Sequence, residues 1–128
     1  DNFRKRTARE RAEITTRAQA ELARQLLDVL DDLSRFSQAG PGASDPATLV
    51  QGMDLIEKKL RKVLGAAGLE MLDPIDQPFD PKVHEAIATE PALSSEDDHM
   101  VARVYQPGYR FNGVLLRPAR VVVKQWAG

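Results

Sequence analysis

The first 38 residues of the chain contain neither glycine nor proline. They are rich in Ala, Arg, Glu, Leu and Gln, which are good helix formers. A helix of about 36 residues spans roughly 54 Å, which is too long for one helix of a compact monomer of this size. The segment is therefore predicted to be a helix that projects from the molecule, pairs with another chain, or both.

The second half of this helix carries a regular apolar stripe. Its members are four, three, four and three residues apart: Leu22, Leu26, Val29, Leu33 and Phe36. This heptad spacing is typical of helices that pack side by side. Before Ile14 the stripe is missing, so we expect the first three turns to be exposed and to unfold easily.

A second amphipathic helix is predicted after a loop rich in small residues, Ser37 to Thr48. Asp45 is expected to cap it, with Pro46 at its first position, and it should end near Gly65 or Gly68. Its apolar residues again follow heptad spacing, at Leu49, Met53, Ile56, Leu60, Val63 and Ala67. The short loop makes the two helices antiparallel. Gly52, inside the helix, is interpreted as a site of close approach by another backbone.

Two helices from one chain cannot bury both stripes well, whereas four helices from two chains can. We therefore expect a homodimer with a four-helix bundle. The predicted dimer interface consists of Leu22, Leu26, Val29, Leu33, Gly52, Met53, Ile56 and Leu60. The helical dimerisation region is assigned to residues 1–68, with the long helix at about 2–38, a loop at 39–45 and the second helix at about 46–67.

The remainder, residues 69–128, is predicted to be a small, mostly β domain. Prolines recur too often for long helices, and Met100–Gln106 and Ala119–Lys124 have strand character. Asn112-Gly113 indicates a tight hairpin, and Pro107-Gly108 is expected at the centre of a type II turn. The fold class is therefore α+β.

Charge is unevenly distributed, although the net charge is only −1. Residues 70–99 carry nine acids and one base, whereas residues 100–128 carry five bases and no acid. The asymmetry predicts a basic surface on the last strands that could attract a partner. Its candidate side chains are Arg110, Arg117 and Arg120.

The sequence offers no convincing catalytic motif. There is no phosphate-binding glycine loop, calcium-loop pattern or zinc-type histidine spacing, and His84 is expected to fix a loop by hydrogen bonding. We therefore expect no enzymatic activity, no cofactor and no metal. The lack of cysteine fits a reducing compartment, and no stretch is long and apolar enough for a membrane span. Because the chain begins at Asp1 rather than Met, we expect it to be part of a longer protein.

Several segments together resemble the GrpE family, the nucleotide exchange factors of DnaK-type chaperones. They are NFRKRT at residues 2–7, LLDVLDDLSRF at 26–36, the second helix with Gly52, PFDPKVHEAI at 78–87 and GYRFNGVLLRPARVVV at 108–123. Asp28 stands where the family usually has proline, which should make this helix straighter.

The resemblance implies a homodimeric co-chaperone that binds the chaperone's ATPase domain and promotes ADP release. It also implies a location in the cytoplasm, and a location in an organelle matrix is left open. It implies chaperone contacts at Arg4, Arg35, Phe79, Pro81, Tyr105 and Val123, although core packing is an alternative for Phe79 and Val123. Val114 and Glu13 stand where the family can carry basic contact residues. Early melting of the long helices would make the protein a thermosensor.

Two other functions are left open by the residues alone. One is a structural coiled-coil adaptor whose β domain binds another protein without affecting nucleotide. The other is a nucleic-acid-binding dimer, suggested by the basic residues before the heptad stripe and opposed by Glu10, Glu13 and Glu21, which interrupt that basic face.

Overall fold

A computed structural model describes residues 1–40, 42 and 45–128. The chain divides into two compact units, Asp1–Ala67 and Gly68–Gly128. The first unit contains two helices and the second contains six β-strands. The prediction of an α+β fold, with a long N-terminal helix, a second helix and a small β region, is confirmed.

Helix α1 extends over Asn2–Ala39 and helix α2 over Pro46–Ala67. Side chains satisfy free backbone groups at both helix starts. The Arg4 N–H donates to Asp1 Oδ1 at 2.9 Å, and the Thr48 N–H donates to Asp45 Oδ1 at 2.7 Å. The predicted cap at Asp45 is thus confirmed. Helix α2 ends at Ala67 and is followed by Gly68, whose φ of 127° favours glycine.

The loop predicted at residues 39–45 begins one residue later in the structure. Ala39 still belongs to α1, and Gly40 is its C-cap. Pro41, Ala43 and Ser44 lie outside the described residues.

The two helices pack antiparallel against each other. Lys59 Nζ lies 2.9 Å from Asp32 Oδ2, and Phe36 lies against Gly52. Ile56, which lies between Gly52 and Lys59, is buried, and so is Val29 about one turn before Asp32. Within this chain the group closest to Gly52 is the aromatic ring of Phe36, and close approach by the backbone of another chain stays a prediction.

Six strands form two three-stranded sheets in the second unit. Their bounds are β1 Leu69–Leu72, β2 His84–Pro91, β3 Val101–Gln106, β4 Gly108–Phe111, β5 Val114–Arg117 and β6 Ala119–Gln125. Sheet 1 has the order β1-β4-β5 and is antiparallel throughout. Sheet 2 has the order β2-β6-β3, with β6 parallel to β2 and antiparallel to β3. A 3₁₀ turn at Ser95–Asp97 precedes β3.

The core of the second unit lies on one side of sheet 2. Residues of β6 alternate between buried and partly exposed along the whole strand, as the period of a β-strand requires. Ala119, Val121 and Val123 are buried together with Val101 of β3, and Phe79 packs against them. The β-branched valines of the predicted strand Ala119–Lys124 therefore build this core.

The predicted hairpin at Asn112-Gly113 is confirmed. Both residues have positive φ, 47° and 85°, as the tight turn between β4 and β5 requires, and Phe111 pairs with Val114 across it.

The type II turn predicted at Pro107-Gly108 was wrong. A type II turn needs positive φ at the glycine, and Gly108 is absent from the residues with positive φ. Instead β3 leads through Pro107 into β4, which belongs to the other sheet. Gly108 is needed because a Cβ there would lie 2.5 Å from the Ala119 backbone nitrogen.

Candidate functional site

One face of sheet 2 points away from the core, and most of the charged side chains of the sheet lie on this face. We define the outer face as Arg103 and Tyr105 of β3 together with Arg120, Val122 and Lys124 of β6. The β6 residues alternate with buried Ala119, Val121 and Val123, so their side chains leave the sheet on the side opposite the core. Tyr105 is the most prominent member, with 71% of its surface exposed.

The charges of the outer face differ in their partners. Arg103 Nη2 donates to Glu90 Oε2 of β2 at 3.0 Å, which neutralises that guanidinium. The guanidinium carbon of Arg120 lies 5.4 Å from the ring centroid of Tyr105, within the range of a cation–π contact. The outer face thus presents an arginine in cation–π contact with an exposed aromatic ring.

The basic surface expected from residues 100–128 is only partly formed. Strand β2 comes from the acidic part of the sequence and pairs with β6, and β1 brings Glu70 to Arg110 at 2.8 Å. Acids and bases that are separate in the sequence are therefore interleaved in the sheets.

A compact loop between β1 and β2 is held by His84. The backbone N–H of Asp80 donates to the ring nitrogen Nδ1 of His84 at 2.9 Å. The backbone N–H of His84 in turn donates to the backbone carbonyl of Asp80 at 2.8 Å. Burial lowers the pKa of His84, while the nearby Asp80 carboxylate opposes that shift. The expectation that His84 fixes this loop by hydrogen bonding is confirmed.

The predicted contact residues of the second unit lie on both sides of sheet 2. Tyr105 belongs to the outer face, and Pro81 is exposed in the loop beside His84. Phe79 packs against the core, with its ring centroid 5.9 Å from that of His84. Val123 is only 6% exposed and is part of the core, so its side chain packs as the core alternative describes.

Arg4 and Arg35 lie at opposite ends of α1. Thirty-one residues separate them, which corresponds to roughly 46 Å along a helix. Both side chains are exposed, and each forms an ion pair within the helix, Arg4 with Asp1 and Arg35 with Asp32. The six predicted contacts therefore do not form one cluster.

The residues predicted for a dimer interface differ in how far one chain covers them. Val29 and Ile56 are buried between α1 and α2, whereas Leu33 and Met53 remain 39% and 50% exposed. Partly covered members are Leu22, Leu26, Gly52 and Leu60. Part of the heptad stripe thus packs between the two helices of one chain, and part of it remains exposed and could contact a second chain.

Sequence reasoning missed the outer face as a unit. Arg103 and Lys124 were not singled out, although the alternation in ARVVVK already places Arg120, Val122 and Lys124 on one side of a strand. The stacking of Arg120 on Tyr105 could not be read from sequence, because it depends on how β3 aligns with β6. That register is irregular, with a shift between Val104 and Gln106.

Within the described ranges there is no group of three or more His, Cys, Asp or Glu side chains suited to a metal ion. Neither helix, as far as its residues are described, has the long uncharged apolar run needed to cross a bilayer.

Comparison with known proteins agrees with the architecture. The sequence model of the GrpE family matches residues 1–125. Over 123 residues, or 96% of this chain, the identity is 36% to Protein GrpE of Bacteroides fragilis, 42% to Protein GrpE of Stenotrophomonas maltophilia and 41% to that of Xanthomonas euvesicatoria. The chain spans 63% of the length of the Bacteroides protein and 70% of the other two.

Proposed function

The chain belongs to the GrpE family, and from this we propose that it binds the ATPase domain of a DnaK-type chaperone and promotes ADP release. The observation that carries the proposal is the family match, which covers both helices and all six strands. The resemblance of PFDPKVHEAI and GYRFNGVLLRPARVVV to family segments supports it further, since both lie in the second unit. We expect the protein to act in the cytoplasm.

The proposed mechanism uses binding energy and no covalent chemistry. The protein binds the open form of the chaperone's nucleotide cleft more tightly than the closed form, and this difference shifts the chaperone toward the open form. Because the open form holds nucleotide weakly, ADP leaves and ATP can enter. The size of the shift is limited by the difference between the two affinities.

We propose that the second unit provides the main contact through the outer face and the loop that carries Pro81. Tyr105 supports this role because it is a large exposed aromatic side chain, a type that is enriched at interface centres. Phe79 and Val123 contribute by supporting the sheet from the core side. Arg4 and Arg35 are proposed as further contacts along α1.

A homodimer is the proposed assembly. Leu33 and Met53 retain large exposed apolar areas, and an open groove of about 410 Å³ lies at the loop end of the helix pair, lined by Phe36, Leu49, Gly52, Leu55 and Ile56 among others. A second helix pair would cover such surfaces in a four-helix bundle. Sedimentation equilibrium would give twice the chain mass of 14.2 kDa for a dimer and the single mass for a monomer.

Stopped-flow fluorescence tests the exchange activity. A DnaK-type ATPase domain is loaded with fluorescent ADP and mixed with excess unlabelled ADP, with or without micromolar amounts of this protein. We expect release to be faster with the protein than at the spontaneous rate, which the mixture without it provides. Binding without any acceleration would overturn the exchange function and favour the structural adaptor.

A further inference from the structure

The three arginines of the last strands are bound differently within the second unit. Arg110 Nη2 donates to Glu70 Oε1 at 2.8 Å. Arg117 Nε donates to the Pro107 carbonyl at 3.1 Å, and its guanidinium lies 5.1 Å from the ring centroid of Tyr109. Both guanidinium groups therefore already donate to oxygen atoms of the protein itself.

Arg120 differs because its observed contact is with a ring and not with an oxygen. Its guanidinium carbon lies 5.4 Å from the centroid of Tyr105. Glu85 is its neighbour in the parallel register of β2 and β6. Nevertheless, the part of the chain that the structure describes shows no ion pair and no side-chain hydrogen bond of Arg120.

The contact with Tyr105 leaves the N–H donors of Arg120 without a partner among the described residues. A cation–π contact uses none of the hydrogen-bond donors of a guanidinium, and the five N–H donors of arginine lie in one plane. Two of these donors match the two oxygens of a carboxylate. Because the ring restricts the rotamers of the arginine, less conformational entropy is lost when a partner binds.

The neighbouring side chains favour an acidic protein surface as the partner. Lys124 adds a second cation on the same face of β6, where its register neighbour Glu90 pairs with Arg103. Val122 lies between Arg120 and Lys124 and provides a partly exposed apolar contact. Apolar and cationic groups side by side fit a protein surface with a carboxylate at its centre better than a continuous row of phosphates.

We infer that Arg120, held by Tyr105, is a specificity-determining residue that binds a surface carboxylate on the chaperone's ATPase domain. This inference rests on the proposed function.

Four variants test the inference: Arg120→Gln, Arg120→Lys, Tyr105→Leu and the double variant Arg120→Gln/Tyr105→Leu. The matched control is Arg110→Gln, which removes an arginine that already pairs with Glu70. Affinity for the ATPase domain is measured by titration calorimetry, and ADP release is measured with each variant. Trp126 fluorescence and circular dichroism check the fold.

We expect Arg120→Gln to raise Kd about tenfold, because it removes one charge-assisted contact with the chaperone. The control Arg110→Gln should leave Kd within about twofold of the parent. Arg120→Lys should recover only part of the affinity lost in Arg120→Gln, because an ammonium keeps the charge but lacks the planar pair of parallel donors. Tyr105→Leu should weaken binding less than Arg120→Gln does. In the double variant the two losses should be less than additive, because part of the effect of the ring acts through the arginine. Added salt should weaken the parent more steeply than Arg120→Gln.

The outcomes separate this inference from the proposed function. If the parent accelerates ADP release and Arg120→Gln binds as tightly as the parent, the inference is wrong while the proposed function stands. If Arg120→Gln fails to fold, Arg120→Lys takes its place, and an Arg120→Lys variant with the Kd of the parent would likewise show that the inference is wrong. If the parent does not bind the ATPase domain, both fail. Binding of a duplex oligonucleotide that Arg120→Gln abolishes would also overturn the inference.

Discussion

Gly108 lies where β4 passes the link between β5 and β6. A Cβ at this position would meet three backbone atoms, Ala119 N at 2.5 Å, Pro118 C at 2.8 Å and Arg117 O at 2.9 Å. Backbone atoms inside a sheet cannot move aside as a flexible side chain can. The two sheets of the second unit can thus approach each other here only because the residue is glycine.

We therefore expect Gly108→Ala to lower the free energy of unfolding of the second unit by about 1–3 kcal/mol, the usual effect of overpacking. Urea denaturation followed by Trp126 fluorescence measures it. Gly65→Ala is the matched control, because a Cβ there meets nothing within 4 Å and alanine is the better helix former by up to about 1 kcal/mol. A Gly108→Ala variant as stable as the parent would contradict the account of this close approach.

His84 makes the stability of the second unit depend on pH. Burial lowers its pKa in the folded state below the ordinary value of about 6.5, so the folded state binds the proton more weakly than the unfolded chain. Its contribution to stability is complete above about pH 6.5 and is lost as pH falls toward and through the lowered folded pKa. Protonation would also remove the acceptor of the Asp80 N–H.

We expect the free energy of unfolding to decrease between pH 7 and pH 5, and His84→Asn to flatten this decrease because its oxygen can accept the same hydrogen bond without titrating. Urea denaturation at a series of pH values measures it. His99→Asn is the control, since His99 is exposed and has a positive φ of 65° that asparagine tolerates. An unchanged slope in His84→Asn, or a flattened one in His99→Asn, would count against His84 as the titrating group.

At the scale of elements, Phe36 and Gly52 set how closely α1 and α2 pack near the loop. A Cβ at Gly52 would lie 2.7 Å from Phe36 Cε2 and closer still to Cζ. Gly52→Ala should therefore destabilise the helix pair by about 1–2 kcal/mol despite the better helix propensity of alanine.

Gly52→Ala/Phe36→Leu should recover part of that loss, because the smaller side chain gives the new methyl group room. Urea denaturation followed at 222 nm measures both variants, with Phe36→Leu alone as control. Strictly additive effects of the two substitutions would show that the ring and the glycine do not interact in solution.

The first half of α1 is supported differently from the second half. Residues 8–20 are all exposed, and buried Val29 lies far beyond them. Their stabilising contacts are surface ion pairs such as Arg6–Glu10, which are worth little. Helix α1 should therefore lose structure from its N-terminal half while α2 and the second unit remain folded.

Helix loss and unfolding of the second unit can be followed separately. Ellipticity at 222 nm reports the helices, whereas near-ultraviolet ellipticity and Trp126 fluorescence report the second unit, because Trp126, Tyr105 and Tyr109 all lie there. We expect ellipticity at 222 nm to fall reversibly at a lower temperature than near-ultraviolet ellipticity and Trp126 fluorescence. Hydrogen exchange should show fast amides before residue 20 and slow ones around Val29. Coincident transitions of all probes would contradict this prediction and remove the basis for thermosensing.

At the scale of the whole chain, the predictable features are those with local causes. Helix periodicity, the Asp45 cap and the Asn112-Gly113 turn each depend on residues close in sequence, and each is present. Strands β1 and β2 were not predicted, because LEML is short and β2 gains its place by parallel pairing with β6, which lies 28 residues beyond its end. The contact of Arg120 with Tyr105 was missed for the same reason.

The proposed exchange function requires that binding of this protein and binding of ADP to the chaperone oppose each other. Linkage requires that ADP weaken the binding of this protein by the same factor by which this protein weakens ADP. Titration calorimetry of the chaperone's ATPase domain, nucleotide-free and saturated with ADP, measures that factor directly. We predict a clearly larger Kd with ADP, and equal Kd values in the two titrations would contradict the account.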